Sequence, residues 1–149
     1  MDEAGAFKVL IVDDEPTVRH LLVRWITRSM TANVLEAEDG LQALEFIAAQ
    51  GIDLVIADVK MPVLHGIEML SIIRADPANA NLEVIVASGL GDEDTIKQAI
   101  GLGVSGYMLK PLQQDRVITC VEKARQRVME ARLRSGSKND HSRTRILIA

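Results

Sequence analysis

Asp53–Ala57 reads DLVIA, one acid and then four apolar residues in a row, running into Asp58 and a loop that holds Met61-Pro62. An unbroken apolar run of this length, without polar alternation, describes a strand covered on both faces. Phe7–Val12 and Leu82–Ala87 are runs of the same kind on either side of it, and shorter ones stand at Val34–Ala37 and Gly106–Leu109. Amphipathic stretches fill the intervals. Val18, Leu21, Leu22, Trp25 and Ile26 are spaced i, i+3, i+4, i+7, i+8, one face of a helix, and Pro16 suits that helix's first position. Leu41, Leu44, Ile47 and Ala48 predict a second helix after Asp39-Gly40, and Ile67, Leu70 and Ile73 a third. Asp92–Ile100 gives a fourth helix, and a long final one begins at Gln113.

Strands of the doubly covered type alternating with helices predict an α/β fold, a (βα)5 doubly wound parallel sheet. The expected strand order is 2-1-3-4-5, the flavodoxin-like arrangement. Ligands of such sheets bind beyond the carboxyl ends of the strands, near the switch point between strands 1 and 3. Asp13-Asp14 stand at the end of strand 1, Asp58 at strand 3, Ser88 at strand 4 and Lys110-Pro111 at strand 5. Taken singly each is bland: an acidic pair after a strand is a common helix cap, and Lys-Pro a common turn. Together they converge. Two carboxylates about 5 Å apart repel by roughly 3 kcal/mol at an effective dielectric near 20, and a hard cation with oxygen ligands removes that conflict. Acid, acid, hydroxyl and amine describe a pocket for a phosphoryl group carried on one carboxylate, with Mg2+ or Mn2+.

These residues lie in motifs that resemble the receiver domain of bacterial two-component response regulators: VLIVDDEP at 9–16, DLVIADVKMPVLHG at 53–66, VIVASG at 84–89 and GYMLKP at 106–111. The resemblance covers roughly residues 6–130. It implies Asp58 as phosphoacceptor, with metal held directly by Asp14, through a water by Asp13, and by Asp58 and the backbone carbonyl of Lys60. It implies Ser88 and Lys110 as contacts of the phosphoryl group, Ser88 and Tyr107 as the switch pair, and a cis peptide before Pro111. Lys60 and Leu90 occupy the positions that tune phosphoform lifetime in the family, and Leu90, lacking a polar group to orient water, predicts a long-lived phosphoform. The implied donor is a phosphohistidine on a sensor histidine kinase or phosphotransfer protein. The implied role is a signalling switch that is not an enzyme beyond its own phosphotransfer and dephosphorylation.

Other readings fit less well. Gly101, Gly103 and Gly106 match a G-x-G-x-x-G expression but follow a helix and precede a strand, the reverse of a dinucleotide loop. A haloacid-dehalogenase-like phosphatase needs Asp-x-Asp after strand 1, where this chain has Asp-Asp. A pseudo-receiver that only binds protein would not need the full set of site residues. His20, His65 and His141 form no ligand spacing. The formal net charge of -4 does not favour direct nucleic-acid binding, and the apolar runs are far too short to span a membrane. A single cysteine, Cys120, and the lack of a secretory start predict a cytoplasmic protein with Cys120 as a small buried hydrophobe.

The 149-residue chain divides, on this reading, into a receiver at 6–130 and a remainder at 131–149. A helix from Gln113 to Arg134 would span about 33 Å, against roughly 17 Å for a five-residue strand. Val117, Val121, Ala124, Val128 and Ala131 form a heptad seam, so the overhang is a candidate homodimer contact. Ser135–Thr144 reads as a polar, basic linker, and Arg145–Ala149 echoes the first strand, as the start of a further domain would.

Overall fold

The computed structural model describes residues 6–61, 63–89 and 93–148, with backbone alone from residue 136. The sheet has five parallel strands, β1 (Lys8–Val12), β2 (Asn33–Ala37), β3 (Leu54–Asp58), β4 (Glu83–Ser88) and β5 (Gly106–Leu109). Their order is β2-β1-β3-β4-β5. The helices are α1 (Pro16–Ser29), α2 (Gly40–Gln50), α3 (Gly66–Ala75), α4 (Glu93–Gly101) and α5 (Gln114–Ile148), with a short 3-10 turn at Pro77–Asn79. This is the expected flavodoxin-like (βα)5 fold.

Period-two geometry splits the apolar runs between two cores. Leu10 and Val12 of β1, Val55 and Ala57 of β3, and Val84 and Val86 of β4 face α2, α3 and α4. Val9, Ile11, Leu54, Ile56 and Ile85 face α1 and α5 on the other side. Every residue of β3 is buried, so the central strand must be apolar on both faces. The strand's last residue, Asp58, is the exception, and it sits where the strand meets the site.

Two helix faces differ from their sequence reading. On α1, Leu22 and Ile26 are buried but Leu21 is exposed. On α2 the buried face is Gly40, Ala43 and Ile47, while Leu41 and Ala48 are exposed. Close packing selects small residues there: a Cβ on Gly40 would meet the Leu64 side chain at 2.8 Å. A stripe built from the largest apolar residues misses a face that depends on the smallest.

In α5, Val117, Val121 and Ala124 are fully buried against the sheet and Val128 packs at its edge. The first part of the heptad seam is therefore core of this domain. Beyond it the helix is tied down by Arg127 Nε to Glu83 Oε1 at 2.9 Å and Arg132 Nη2 to Asp53 Oδ2 at 2.8 Å. Arg132 also donates to the Ala6 carbonyl at 3.1 Å. The helix does not stop near Arg134: its backbone continues through Ser135–Thr144, the expected linker, to Ile148. Polarity in that stretch argues against burial, yet apart from Gly136 it holds no strong helix breaker, so backbone and burial signals part company there.

Candidate functional site

Register carries the chosen side chains to one edge. Val12 pairs with Ala57, Asp58 with Ala87, and Ser88 with Leu109, so the ends of β1, β3, β4 and β5 are level. Backbone bonds extend the sheet past the strands: Asp13 N–H donates to Ala37 at 3.1 Å, Val59 to Ala87 at 2.9 Å, and Lys110 to Ser88 at 2.7 Å. Each residue that follows a strand is thereby held in the plane of the sheet as its side chain leaves it.

Asp13 is 2% exposed and Asp58 8%, whereas Asp14 stands in solvent. One carboxylate oxygen from each of the three lies within 4.8 Å of the other two. Lys110 is the cation that meets them, its Nζ 3.1 Å from Asp58 Oδ2 and 3.5 Å from Asp13 Oδ2. Asp13 Oδ1 accepts from Glu15 N–H at 2.9 Å, and Asp58 Oδ1 from Lys60 N–H at 3.3 Å. Neither carboxylate is free to rotate away.

Charge does not balance. Among the described residues, the Lys110 ammonium pairs with Asp58 and Asp13 but not with Asp14. Burial raises the Asp13 pKa, with the Asp58 charge adding to it; the Glu15 N–H and Lys110 oppose this but do not cancel it. For Lys110, burial works against the charge, but the Asp58 hydrogen bond and the charges of Asp58 and Asp13 outweigh it, leaving its pKa raised. The lysine stays protonated while the acids around it remain under-neutralised. An all-oxygen donor set with surplus negative charge fits a hard divalent cation.

Ser88 adds an independent mark. Its residue is 1% exposed and its Oγ has no hydrogen-bond partner among the described residues. A buried hydroxyl left unpaired costs roughly 1–3 kcal/mol, and such groups in native proteins call for a ligand or a functional reason. Tyr107, on β5, is 46% exposed and points away from the core. The Lys110–Pro111 peptide is cis. Leu90 lies outside the described residues, as does Pro62 in the loop after Asp58.

Two residues of the site carry roles that their sequence positions conceal. Gly66 opens α3 and packs on the acid-bearing loop: a Cβ there would lie 2.7 Å from the Asp58 carbonyl oxygen and 2.9 Å from Val59 Cα. Only glycine lets α3 approach so closely, and since the clash is with backbone no rotamer relieves it. Its N–H donates to the Val59 carbonyl at 2.9 Å, closing the loop. Arg19 is 8% exposed and donates to the Asp13 carbonyl. Its place in the stripe with Leu22 and Ile26, three and seven residues on, was the available signal: a charge on a buried helix face.

Comparison with known proteins agrees with this geometry. The sequence model of a family described as the response regulator receiver domain matches residues 9–122. The chemotaxis protein CheY of Pseudomonas aeruginosa is 33% identical over 121 residues, 81% of this chain and 98% of the relative. CheY of Listeria monocytogenes is 36% identical over 117 residues, 78% and 97% of the two chains. Among solved structures, a response regulator receiver domain protein from Clostridium thermocellum superposes with a TM-score of 0.74 at 30% identity, covering 80% of this chain and 94% of its own. Sheet order, the level strand ends and a family match that includes all of them lead to one assignment: the chain belongs to the response regulator receiver domain family.

Proposed function

We propose that this receiver domain is a phosphoacceptor switch in which Asp58 takes a phosphoryl group from a phosphohistidine on a sensor histidine kinase or phosphotransfer protein. One observation carries the reading: a buried carboxylate stands among two further carboxylates and a lysine, beside a buried hydroxyl without a partner. A carboxylate oxygen of Asp58 attacks phosphorus as the phosphorus–nitrogen bond to the histidine breaks. An acyl phosphate forms, and the leaving imidazole takes up a proton. Lys110 Nζ, 3.1 Å from Asp58 Oδ2, supplies fixed positive charge to the incoming oxygens. The Lys60 N–H holds Asp58 Oδ1 in one orientation. Asp13, Asp14, Asp58 and the Lys60 carbonyl would hold Mg2+ or Mn2+, whose chemistry is to neutralise phosphoryl oxygens.

Ser88 then gains the acceptor it lacks, by donating its hydroxyl proton to a phosphoryl oxygen. Movement of that hydroxyl opens space beside β5, and Tyr107 turns inward from its exposed position to fill it. Two packings of one fold exchange population, and an output partner reads the difference. Water later attacks phosphorus, releasing phosphate and restoring the carboxylate. With Lys60 and Leu90 at the sequence positions two past Asp58 and Ser88, the phosphoform outlives a few seconds.

Incubation with Mg2+ and a small acyl phosphate, followed by intact and peptide mass measurement, tests the reading. One phosphoryl group on the peptide containing Asp58, absent from Asp58→Asn and from samples in chelator, is the expected result. Label on another residue, or none from any donor, would overturn it.

A further inference from the structure

Arg19 is among the few charged residues buried in this protein, and its guanidinium makes two directed bonds. Nη1 donates to the Asp13 backbone carbonyl at 2.7 Å, and Nε donates to Glu36 Oε1 at 3.0 Å. Glu36 belongs to β2, which pairs with β1, and its register partner is Ile11. The neighbouring strand thus holds the arginine, and the arginine holds the end of β1. Taking a guanidinium out of water is unfavourable unless its bonds are good, and both of these are short.

The Asp13 carbonyl belongs to the peptide that joins Asp13 to Asp14. That peptide is planar, so fixing its oxygen fixes the Asp14 amide and limits the direction in which the Asp14 side chain departs. Asp13 is secured independently, through its own N–H to Ala37 and its Oδ1 to Glu15 N–H. Asp14 has no such hold: it is exposed, and no hydrogen bond or ion pair joins its carboxylate to the described residues. Its place in the cluster with Asp13 and Asp58 depends on the peptide behind it.

We infer that Arg19 is a positioning residue for the metal site, aiming the Asp14 carboxylate by clamping the Asp13–Asp14 peptide, with Glu36 as its anchor. The inference rests on the metal-assisted reading of the previous subsection and deepens it. Lysine carries one donor group in place of a planar fork and cannot serve both acceptors in the same way.

Mn2+ binding, read from the fall in the free-ion paramagnetic resonance signal, tests this on wild type, Arg19→Lys, Glu36→Gln and Arg127→Met. Arg19→Lys is expected to bind Mn2+ about tenfold more weakly, the scale of partners that orient metal ligands, while keeping a cooperative thermal transition. Should it fail to fold, Glu36→Gln carries the same test with a smaller expected loss, about threefold, because an oxygen acceptor remains. Arg127→Met breaks an ion pair at the far end of the sheet; it lowers Tm and leaves Mn2+ affinity within about twofold. The metal concentration for half-maximal phosphorylation by a small acyl phosphate rises in Arg19→Lys by the same factor as the Mn2+ dissociation constant. The rate at saturating metal stays within about twofold of wild type. A folded Arg19→Lys with wild-type Mn2+ affinity overturns the positioning role and leaves the phosphoacceptor reading standing. A wild-type chain that binds no Mn2+ overturns both.

Discussion

The two ends of the sheet treat charge in opposite ways. At the amino ends of the strands Asp53 meets Arg132 at 2.8 Å and Glu83 meets Arg127 at 2.9 Å. Arg74, whose pKa burial lowers, gives its donors to the carbonyls of Leu102, Asn79 and Gly103. At the carboxyl ends Asp13, Asp14 and Asp58 crowd together with Lys110, and Ser88 Oγ has no hydrogen-bond partner among the described residues. The first arrangement pairs its acids with arginines and holds α5 and the loops to the sheet. The second is left incomplete, and its deficits, positive charge for the acids and an acceptor for one hydroxyl, are what the proposed metal and phosphoryl group would supply. On the proposed reading, stability and function occupy opposite ends of the same strands.

Substitution of one acid at each end should therefore give stability changes of opposite sign. Asp53→Ala removes the acceptor of both Lys8 N–H at 2.9 Å and Arg132. Lys8 opens β1, so its amide loses a partner at a strand's first residue, while partly exposed Arg132 recovers some solvation. A loss of about 2 kcal/mol in urea unfolding is expected, with phosphoryl uptake unchanged at temperatures where the variant stays folded. An unchanged unfolding midpoint would show that the amino-end pairs are ornament on a sheet that needs none of them.

Asp13→Asn acts at the other end. Asn keeps an oxygen for the Glu15 N–H and removes a charge that burial disfavours. In chelator this variant should be more stable than wild type by roughly 1 kcal/mol, since a buried charge in an incomplete site costs more than it returns. Mg2+ should then reverse the ranking. Binding stabilises the folded state by an amount that grows with the logarithm of affinity, and the variant has given up a contributor to the site. A variant less stable than wild type in chelator would mean that Lys110 alone satisfies the cluster.

The contrast also governs what could be read from sequence. β1, β3 and β4 were legible because double burial writes itself as unbroken apolar runs, and the site followed because its residues stand at the ends of those runs. The amino-end pairs were not legible. They join Glu83 to Arg127 and Asp53 to Arg132 across separations of 44 and 79 residues, with no local pattern to announce them. The α2 face is not legible from hydrophobic periodicity, because it depends on Gly40 and Ala43, which that pattern weighs lightly. The end of α5 was misplaced because a polar helix and a polar linker share a composition. Gly66 and Arg19 sat in plain view, one inside a quoted motif and one on a helix stripe, but each acts through backbone atoms that only the folded chain brings near.

The smallest expected effect is the dependence on pH, and it separates the ends most finely. Asp13 holds its proton more tightly in the folded chain than in the unfolded one, because burial penalises its charge. Below the ordinary carboxylate range both states are protonated, and this group's contribution to stability is fully present. As pH rises the unfolded chain gives up that proton first, and the contribution is lost through the raised folded value. The stability of metal-free wild type, compared with Asp13→Asn, should fall over that interval. Lys110 behaves alike at the alkaline limit: its raised pKa gives stability present below the ordinary lysine value, lost as pH climbs through the folded one. Metal binding runs the other way in acid, since protons compete for Asp13, so Mn2+ affinity should weaken as pH drops through the same interval. Urea unfolding of both chains in chelator across that range, with Mn2+ titrations beside it, measures the two trends. A pH-independent difference between the chains would mean that burial at the carboxyl end is already offset, and the contrast between the ends would lose its electrostatic basis.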